Sequence, residues 1–222
     1  MTDVVTNAVS FCMEKNMDVQ IILIDDGSTD NTRLKIKQLV QSYDIITPLY
    51  HDTRKGIGAC FRQGIEKAEN DVITWIPADG ENDIRELVKY LELLDHVDIV
   101  IPFVVNTGVR IWFRRLISSL YLLIINMSFG TTFNYTNGNV MYKRKIFDVI
   151  SNRSNGFFFQ TECLIKAIRM GFIFAEVPVF LKNRISSHSK AVSALNLIAV
   201  IRDYVLLFIE VHILRRTGQT RY

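Results

Sequence analysis

Cysteine is scarce in this 222-residue chain: there are three, Cys12, Cys60 and Cys163, with no C-x-x-C spacing. An odd number so spaced suggests neither a disulfide framework nor a zinc module, and the three thiols are expected to be buried in a reducing cytosol. Proline is also sparse, at four residues, and there is no low-complexity linker and no internal repeat. The stretch from Met1 to Asn16 lacks a basic leader and a continuous apolar core, so secretion is not expected. A clean membrane-length apolar run is missing too. The longest candidate, Leu195 to Leu214, contains Arg202, Asp203, Glu210 and His212, and mid-span charges cost about 2.5–3.5 kcal/mol each, so no transmembrane helix is expected.

What the chain does have is 49% hydrophobic residues and eleven glycines, a composition that suits one α/β domain with a sizeable core plus an appendage. The formal net charge of +3 hides an asymmetry. From Lys182 to Tyr222 there are seven basic and two acidic residues, so the excess of positive charge lies wholly in the C-terminal end. Such an end favours an anionic partner, a membrane surface or a phosphate; no nucleic-acid partner is expected.

The hydrophobic pattern predicts a strand at Val19–Ile24, a helix at Asp30–Tyr43, a helix at Lys55–Ala68 entered through Gly56 and Gly58, and a strand at Val72–Ile76 stopped by Pro77. A helix over Ile84–Leu94 and a short strand over Asp98–Phe103 follow. After Asn106 the pattern turns to long apolar helices, Trp112–Phe129 and Ala191–Leu214, around strand-like pieces at Asn139–Tyr142 and Ile173–Val179. Strands alternating with helices imply a mostly parallel sheet with right-handed crossovers. Function then belongs at the carboxyl ends of the strands.

Two of those ends are acidic. VQIILIDDGSTDNT (Val19–Thr32) closes an apolar run with Asp25, Asp26 and Gly27, and IPADGEND (Ile76–Asp83) closes the next strand the same way. A turn with a helix cap explains one acidic residue in each. Two on one sheet edge can hold a nucleotide and a divalent metal, because hard cations take carboxylate oxygens.

These residues resemble the family 2 glycosyltransferases of GT-A fold. IDDGSTDNT is similar to the D-D-G-S-x-D-x-T segment of that family, and KGIGACFRQG (Lys55–Gly64) to the K-G-x-G-x-A-x-x-x-G that follows it. PADGE (Pro77–Glu81) falls where the D-x-D-type metal motif lies. Arg114–Ser118 resembles an Arg-x-x-x-Ser segment, and RISSHSK (Arg184–Lys190) resembles the R-x-x-G-x-S-K close of the polyprenyl-phosphate mannosyltransferase branch. There are departures. Met1 leads almost directly into the first helix, where the family has a strand and a P-x-Y-N-E turn; Pro77 stands where the branch has the first Asp of its metal motif; and Ser187 replaces a glycine.

The resemblance implies a GT-A-like, Rossmann-like domain over residues 1–185, N-terminally truncated, followed by an amphipathic helix and basic tail over 186–222. It implies a nucleotide site at Asp25, Asp26, Gly27, Lys55 and Gly56, with Asp79 and Glu81 as ligands of Mg²⁺ or Mn²⁺. A polyprenyl-phosphate acceptor is already anionic, so it needs cations and no strong base; Arg114, Ser118, Arg184, Ser189 and Lys190 are the candidates. A saccharide hydroxyl acceptor would need a base, for which Glu162 is the candidate by type, although an acid at a helix start is commonly a partnered buried one. A third alternative is a degenerate binding or assembly subunit without turnover. In the last helix Asn196, Asp203 and Glu210 recur at seven-residue steps, a narrow polar stripe on an otherwise apolar surface. With Leu116–Phe129 it suggests a membrane-dipping pair at the cytoplasmic face, or else a buried or dimer-forming pair that would make the chain a homo-oligomer.

Overall fold

The computed structural model describes residues 1–106, 112–180 and 194–214. Val5, Val9 and Cys12, spaced about one helical turn apart, form the buried stripe of α1 (Thr2–Glu14). The aliphatic run after it extends into β1 (Ile21–Asp26), and α2 (Thr32–Ser42) buries Ile36 and Leu39. β2 (Ile46–His51) runs parallel to β1, pairing Ile21 with Ile46 and Asp26 with His51. Side chains alternate across β1: Ile21 and Leu23 meet α1 and α2 on one face, while Ile24 lies against Gly64 of α3 (Ile57–Lys67) on the other.

The remaining strands are β3 (Val72–Ile73), β4 (Ile99–Val104), β5 (Met141–Lys143) and β6 (Phe174–Val179). They form a second sheet in the order β3-β5-β4-β6, in which β5 is antiparallel to β3 and β4 while β4 and β6 are parallel. The sheet is therefore mixed, where the alternating pattern implied a mostly parallel one. The cause is the segment after α5 (Trp112–Phe129). It returns to the carboxyl end of β4, where Gly138 packs against the Pro102 carbonyl, so the next strand starts at that edge and runs the other way. Side-chain bonds join the two sheets at their entrances: Gln20 Nε2 donates to the Lys67 carbonyl at 3.1 Å, and Gln20 Oε1 accepts from Glu69 N at 3.1 Å.

Helical pattern over Ile84–Leu94 resolves into α4 (Ile84–Val88) and a 3-10 turn at Leu91–Asp95. α6 (Phe159–Arg169) is the most buried helix of the fold, and α7 (Ala194–Phe208) continues through a π turn at Ile209–Ile213. The main core gathers Phe61 of α3, Ile99 and Ile101 of β4, Ile125 and Phe129 of α5, Leu164 of α6, and Leu207 and Val211 from the C-terminal helix. That last helix is thus part of the same core.

Its polar stripe faces inward. Asp203 and Glu210 are buried, with Asp203 Oδ2 accepting from Ser154 Oγ at 2.6 Å and Glu210 Oε1 lying 3.5 Å from Lys166 Nζ. The outer side instead presents Leu197, Ile198, Ile201, Val205, Leu206 and Ile213 to solvent. α5 does the same with Leu120, Leu123, Ile124 and Met127. The two helices touch along their other sides, through Ser128 Oγ and Tyr204 OH at 2.7 Å and Phe129 stacked on His212. Among the described residues, no helix is long and apolar enough to cross a membrane.

Candidate active site

Successive side chains on a strand point to opposite faces, so Asp25 and Asp26 at the end of β1 cannot do the same thing. Asp25 is buried on the α2 side, where Oδ1 accepts from Ser28 N at 3.1 Å and Oδ2 from Arg33 Nε at 3.2 Å. Arg33 also donates to the His51 carbonyl at 2.8 Å. Burial pushes the Asp25 carboxyl up, but the Ser28 and Arg33 bonds outweigh it and hold it below the ordinary aspartate range. Asp25, which the resemblance assigns to the nucleotide site, is instead turned away from solvent and fixes the turn from beneath.

Asp26 lies on the α3 side and keeps 23% of its side chain exposed. Its Oδ1 accepts from Lys55 N at 2.8 Å and its Oδ2 from Gly56 N at 2.9 Å, while His51 Nδ1 lies 2.8 Å from Oδ1. Burial again opposes ionisation, and the His51, Lys55 and Gly56 bonds prevail, so the carboxylate is held below its usual range. Two glycines make the approach possible. Gly27, at φ +69°, passes the backbone of Thr53 and Arg54 where a Cβ would come within 2.8 Å, and Gly56, at φ +96°, leaves 2.3 Å between an added Cβ and the Asn155 carbonyl. Asp26, Gly27, Lys55 and Gly56 are therefore brought together, with Lys55 contributing its backbone N–H to Asp26.

Sequence reasoning missed what lies beneath them. His51 is buried, its Nε2 against Gln63 Oε1, and Cys60 Sγ sits 3.9 Å from Nδ1. Burial, with the Asp26 charge beside it, pushes the Cys60 thiol up to about 12. The ligand atoms of Asp26, His51 and Cys60 lie within 4.8 Å of one another, a group that can hold a metal ion. The available signal was positional, since His51 ends β2 level with Asp26 in the parallel register.

Beyond β3, Asp79 Oδ1 accepts from Glu81 N at 3.1 Å across Gly80 at φ +81°, which ties the two acids into one tight turn. Neither caps the helix that follows; Asp83 does so, accepting from Arg85 N at 3.1 Å. Asp79 and Glu81 are both half-buried carboxylates, the donor type that a hard divalent ion takes.

A cleft of about 640 Å³ opens between the end of β4 and α5, with Phe103, Trp112, Arg115, Leu116, Ser118 and Tyr135 in its lining. Ser118 is thus placed as a cleft residue and Arg115 as its cation. The side chain of Arg114, and residues Arg184, Ser189 and Lys190, lie outside the described residues. Glu162 is a partnered buried acid: it accepts from the backbone N–H groups of Arg153 and Ser154, each at 2.9 Å, and pairs with Lys166 Nζ at 2.7 Å.

Comparison with known proteins gives these sites a context. A family model described as glycosyl transferase family 2 matches residues 3–151. An uncharacterized glycosyltransferase of Nostoc sp. is 33% identical over 92 residues, which is 41% of this chain and 28% of that protein. Polyprenol monophosphomannose synthase of Mycolicibacterium smegmatis is 28% identical over 184 residues, 75% of this chain and 68% of that protein. The chain therefore spans less than a third of the first of these curated relatives and about two thirds of the second. Among solved structures, glucosyl-3-phosphoglycerate synthase from Mycobacterium tuberculosis in complex with Mg²⁺ and uridine diphosphate superposes with a TM-score of 0.70 at 17% identity, over 93% of this chain and 74% of that one. That likeness shows the fold: GT-A-like α/β, a mixed sheet flanked by helices.

Proposed function

The chain belongs to glycosyl transferase family 2, and we propose that it moves a sugar from a nucleotide sugar to a polyprenyl phosphate at the cytoplasmic face of a membrane. The observation that carries this reading is the cleft at the end of β4. It joins a guanidinium, Arg115, and a hydroxyl, Ser118, to an apolar wall whose Trp112 and Leu116 are also part of the exposed apolar face of α5. A lipid phosphate needs such a combination, because its head is anionic and its tail must leave along an apolar path.

Asp26 is held by two backbone N–H groups with part of its carboxylate still exposed, which suits it to accept from the N–H or O–H groups of a base or ribose. Asp79 and Glu81 are the residues that would hold Mg²⁺ or Mn²⁺. Bound there, the ion would neutralise charge developing on the nucleoside diphosphate as it leaves. The acceptor phosphate is already a nucleophile, so the chain's task is to hold it with cations and hydroxyls: Arg115 and Ser118 in the cleft, with Arg114, Arg184 and Lys190 as further candidate cations and Ser189 as a further candidate hydroxyl. The outward apolar sides of α5 and α7, together with the basic end of the chain, would seat the protein on anionic lipid without crossing it.

Glu162 separates the acceptor classes. Its carboxylate is held by two backbone N–H groups and a lysine, which supports a structural role for it over that of a base for a hydroxyl acceptor. Arg115→Ala should lower kcat/KM for a polyprenyl phosphate by roughly 10- to 100-fold, the value of a lost charge-assisted bond of about 1.5–3 kcal/mol, while Glu162→Gln in a folded protein keeps most turnover. The opposite pattern would move the assignment to a saccharide acceptor. One observation favours a second reading, a binding subunit without turnover. Asp26 and the Asp79–Glu81 turn follow strands of different sheets, so no backbone ladder among the described residues fixes one half of the site against the other.

A further inference from the structure

Three unlike donor atoms, from Asp26, His51 and Cys60, lie within 4.8 Å of one another, close enough for one ion to reach all three. His51 Nε2 lies against Gln63 Oε1 and Nδ1 lies 2.8 Å from Asp26 Oδ1, so with its hydrogen on Nε2 the imidazole offers Nδ1 to an ion that Asp26 also reaches. Cys60 Sγ reaches the same point, 3.9 Å from Nδ1. A histidine whose far nitrogen is fixed by an acceptor is the usual arrangement for a metal-bound imidazole. Oxygen, nitrogen and sulfur donors in one group match Zn²⁺ and its neighbours and not Mg²⁺, which avoids thiolates.

We propose that Asp26 Oδ1, His51 Nδ1 and Cys60 Sγ form a binding site for a borderline-soft divalent ion of the zinc type, separate from the Asp79–Glu81 pair. Supporting groups are already in place: Gln63 fixes the imidazole, and the Lys55 and Gly56 N–H groups fix the carboxylate. His51 closes the site from below with 3% of its side chain exposed, and the partly exposed Asp26 leaves a way in from solvent. On binding, the Cys60 thiol releases its proton to solvent, the ion accepts three lone pairs, and water fills the fourth position; nothing is oxidised or reduced. If Asp26 also contacts the donor nucleotide, as the reading above holds, the ion and the nucleotide exclude one another.

The test uses Co²⁺ as a spectroscopic probe on the full chain in excess Mg²⁺. The expected result is a thiolate-to-cobalt charge-transfer band in the near ultraviolet with tetrahedral d–d bands in the visible, at one equivalent, displaced by Zn²⁺. Cys60→Ser removes the charge-transfer band, and Gln63→Leu, which keeps all three ligands, weakens Co²⁺ affinity by roughly 10- to 100-fold. A titration without a charge-transfer band overturns the proposal, and so does a band that survives Cys60→Ser. Adding uridine or guanosine diphosphate tests the nucleotide role separately: a cobalt spectrum unaffected by either leaves the metal site standing and removes Asp26 from the nucleotide contact.

Discussion

Replacing Lys166 with methionine keeps the length of the side chain and takes away one buried charge, with large consequences. Lys166 Nζ donates to the Ser151 carbonyl at 2.9 Å and to Glu162 Oε1 at 2.7 Å, and lies 3.5 Å from Glu210 Oε1. The three side chains are between 5% and 11% exposed. Without the ammonium, Glu162 loses its only cation in this group, and Glu210 keeps Arg153 Nη1 at 3.4 Å. Breaking a buried pair from one side costs about 3–5 kcal/mol. In a chain of this size each kcal/mol lowers the midpoint by about 2–4 °C, so Lys166→Met should melt roughly 6–20 °C below the parent when followed by circular dichroism. Adding Glu162→Gln removes the orphaned charge and should recover more than half of the loss. Nucleotide affinity should fall with Lys166→Met as well, since Glu162 holds the backbone of Arg153 and Ser154, next to the Asn155 carbonyl that receives Gly58 N at 2.9 Å. A shift below 2 °C, or a double variant no better than the single one, would refute the reasoning.

Gly56→Ala should lower the urea midpoint by an amount worth about 1–3 kcal/mol or more, because an alanine at φ +96° is strained and its Cβ meets the Asn155 carbonyl at 2.3 Å; a midpoint within error of the parent would show that the turn is not built as described. Asp26 has a folded pKa below its unfolded one, so its stabilisation is present above the unfolded value of about 3.9 and is lost as pH falls through the folded value; Asp26→Asn should flatten the acid limb of the stability profile and leave its shape above pH 5 unchanged. Membrane binding should be dominated by the outward face of α7. Four side chains there, Leu197, Ile198, Ile201 and Leu206, half-buried in lipid contribute on the order of 4 kcal/mol at ~2 kcal/mol for each full burial. Flotation with anionic liposomes should therefore weaken but persist at high salt, and changing all four to serine should cost about three decades of partitioning; a chain that never floats would assign that face to a protein contact.

The fold was legible where the local pattern was unopposed. The run Ile21–Ile24 and the helix Trp112–Phe129 could be read directly. β2 was not, because Pro48 and the polar Thr47 and His51 disguise it; an edge strand tolerates such residues where a central one would not. The mixed sheet was hidden as well, since the direction of β5 depends on how the segment after α5 folds back. In the site, Asp26, Gly27, Lys55 and Gly56 were legible as a sequence motif, and the Asp26 carboxylate accepts from the Lys55 and Gly56 N–H groups. The burial of Asp25 follows from strand alternation alone and required only that the two aspartates be treated as opposite faces. The seven-residue spacing of Asp203 and Glu210 was visible, but not that the stripe points into the protein, because that direction is set by the partners Ser154 and Lys166 from distant parts of the chain.

The central claim is transfer of a sugar to a lipid phosphate, and one measurement meets it directly. The protein is incubated with a radiolabelled nucleotide sugar, polyprenyl monophosphate in detergent or vesicles, and Mn²⁺ or Mg²⁺, and the label is followed into the organic phase. Uridine- and guanosine-diphosphate sugars are tried in parallel. The account predicts a label extracted as a polyprenyl phosphate sugar, absent in chelator and absent in Asp79→Ala. A folded protein that binds the nucleotide with metal yet moves no label to the lipid, or that labels a saccharide or phosphoglyceric acid instead, would contradict it.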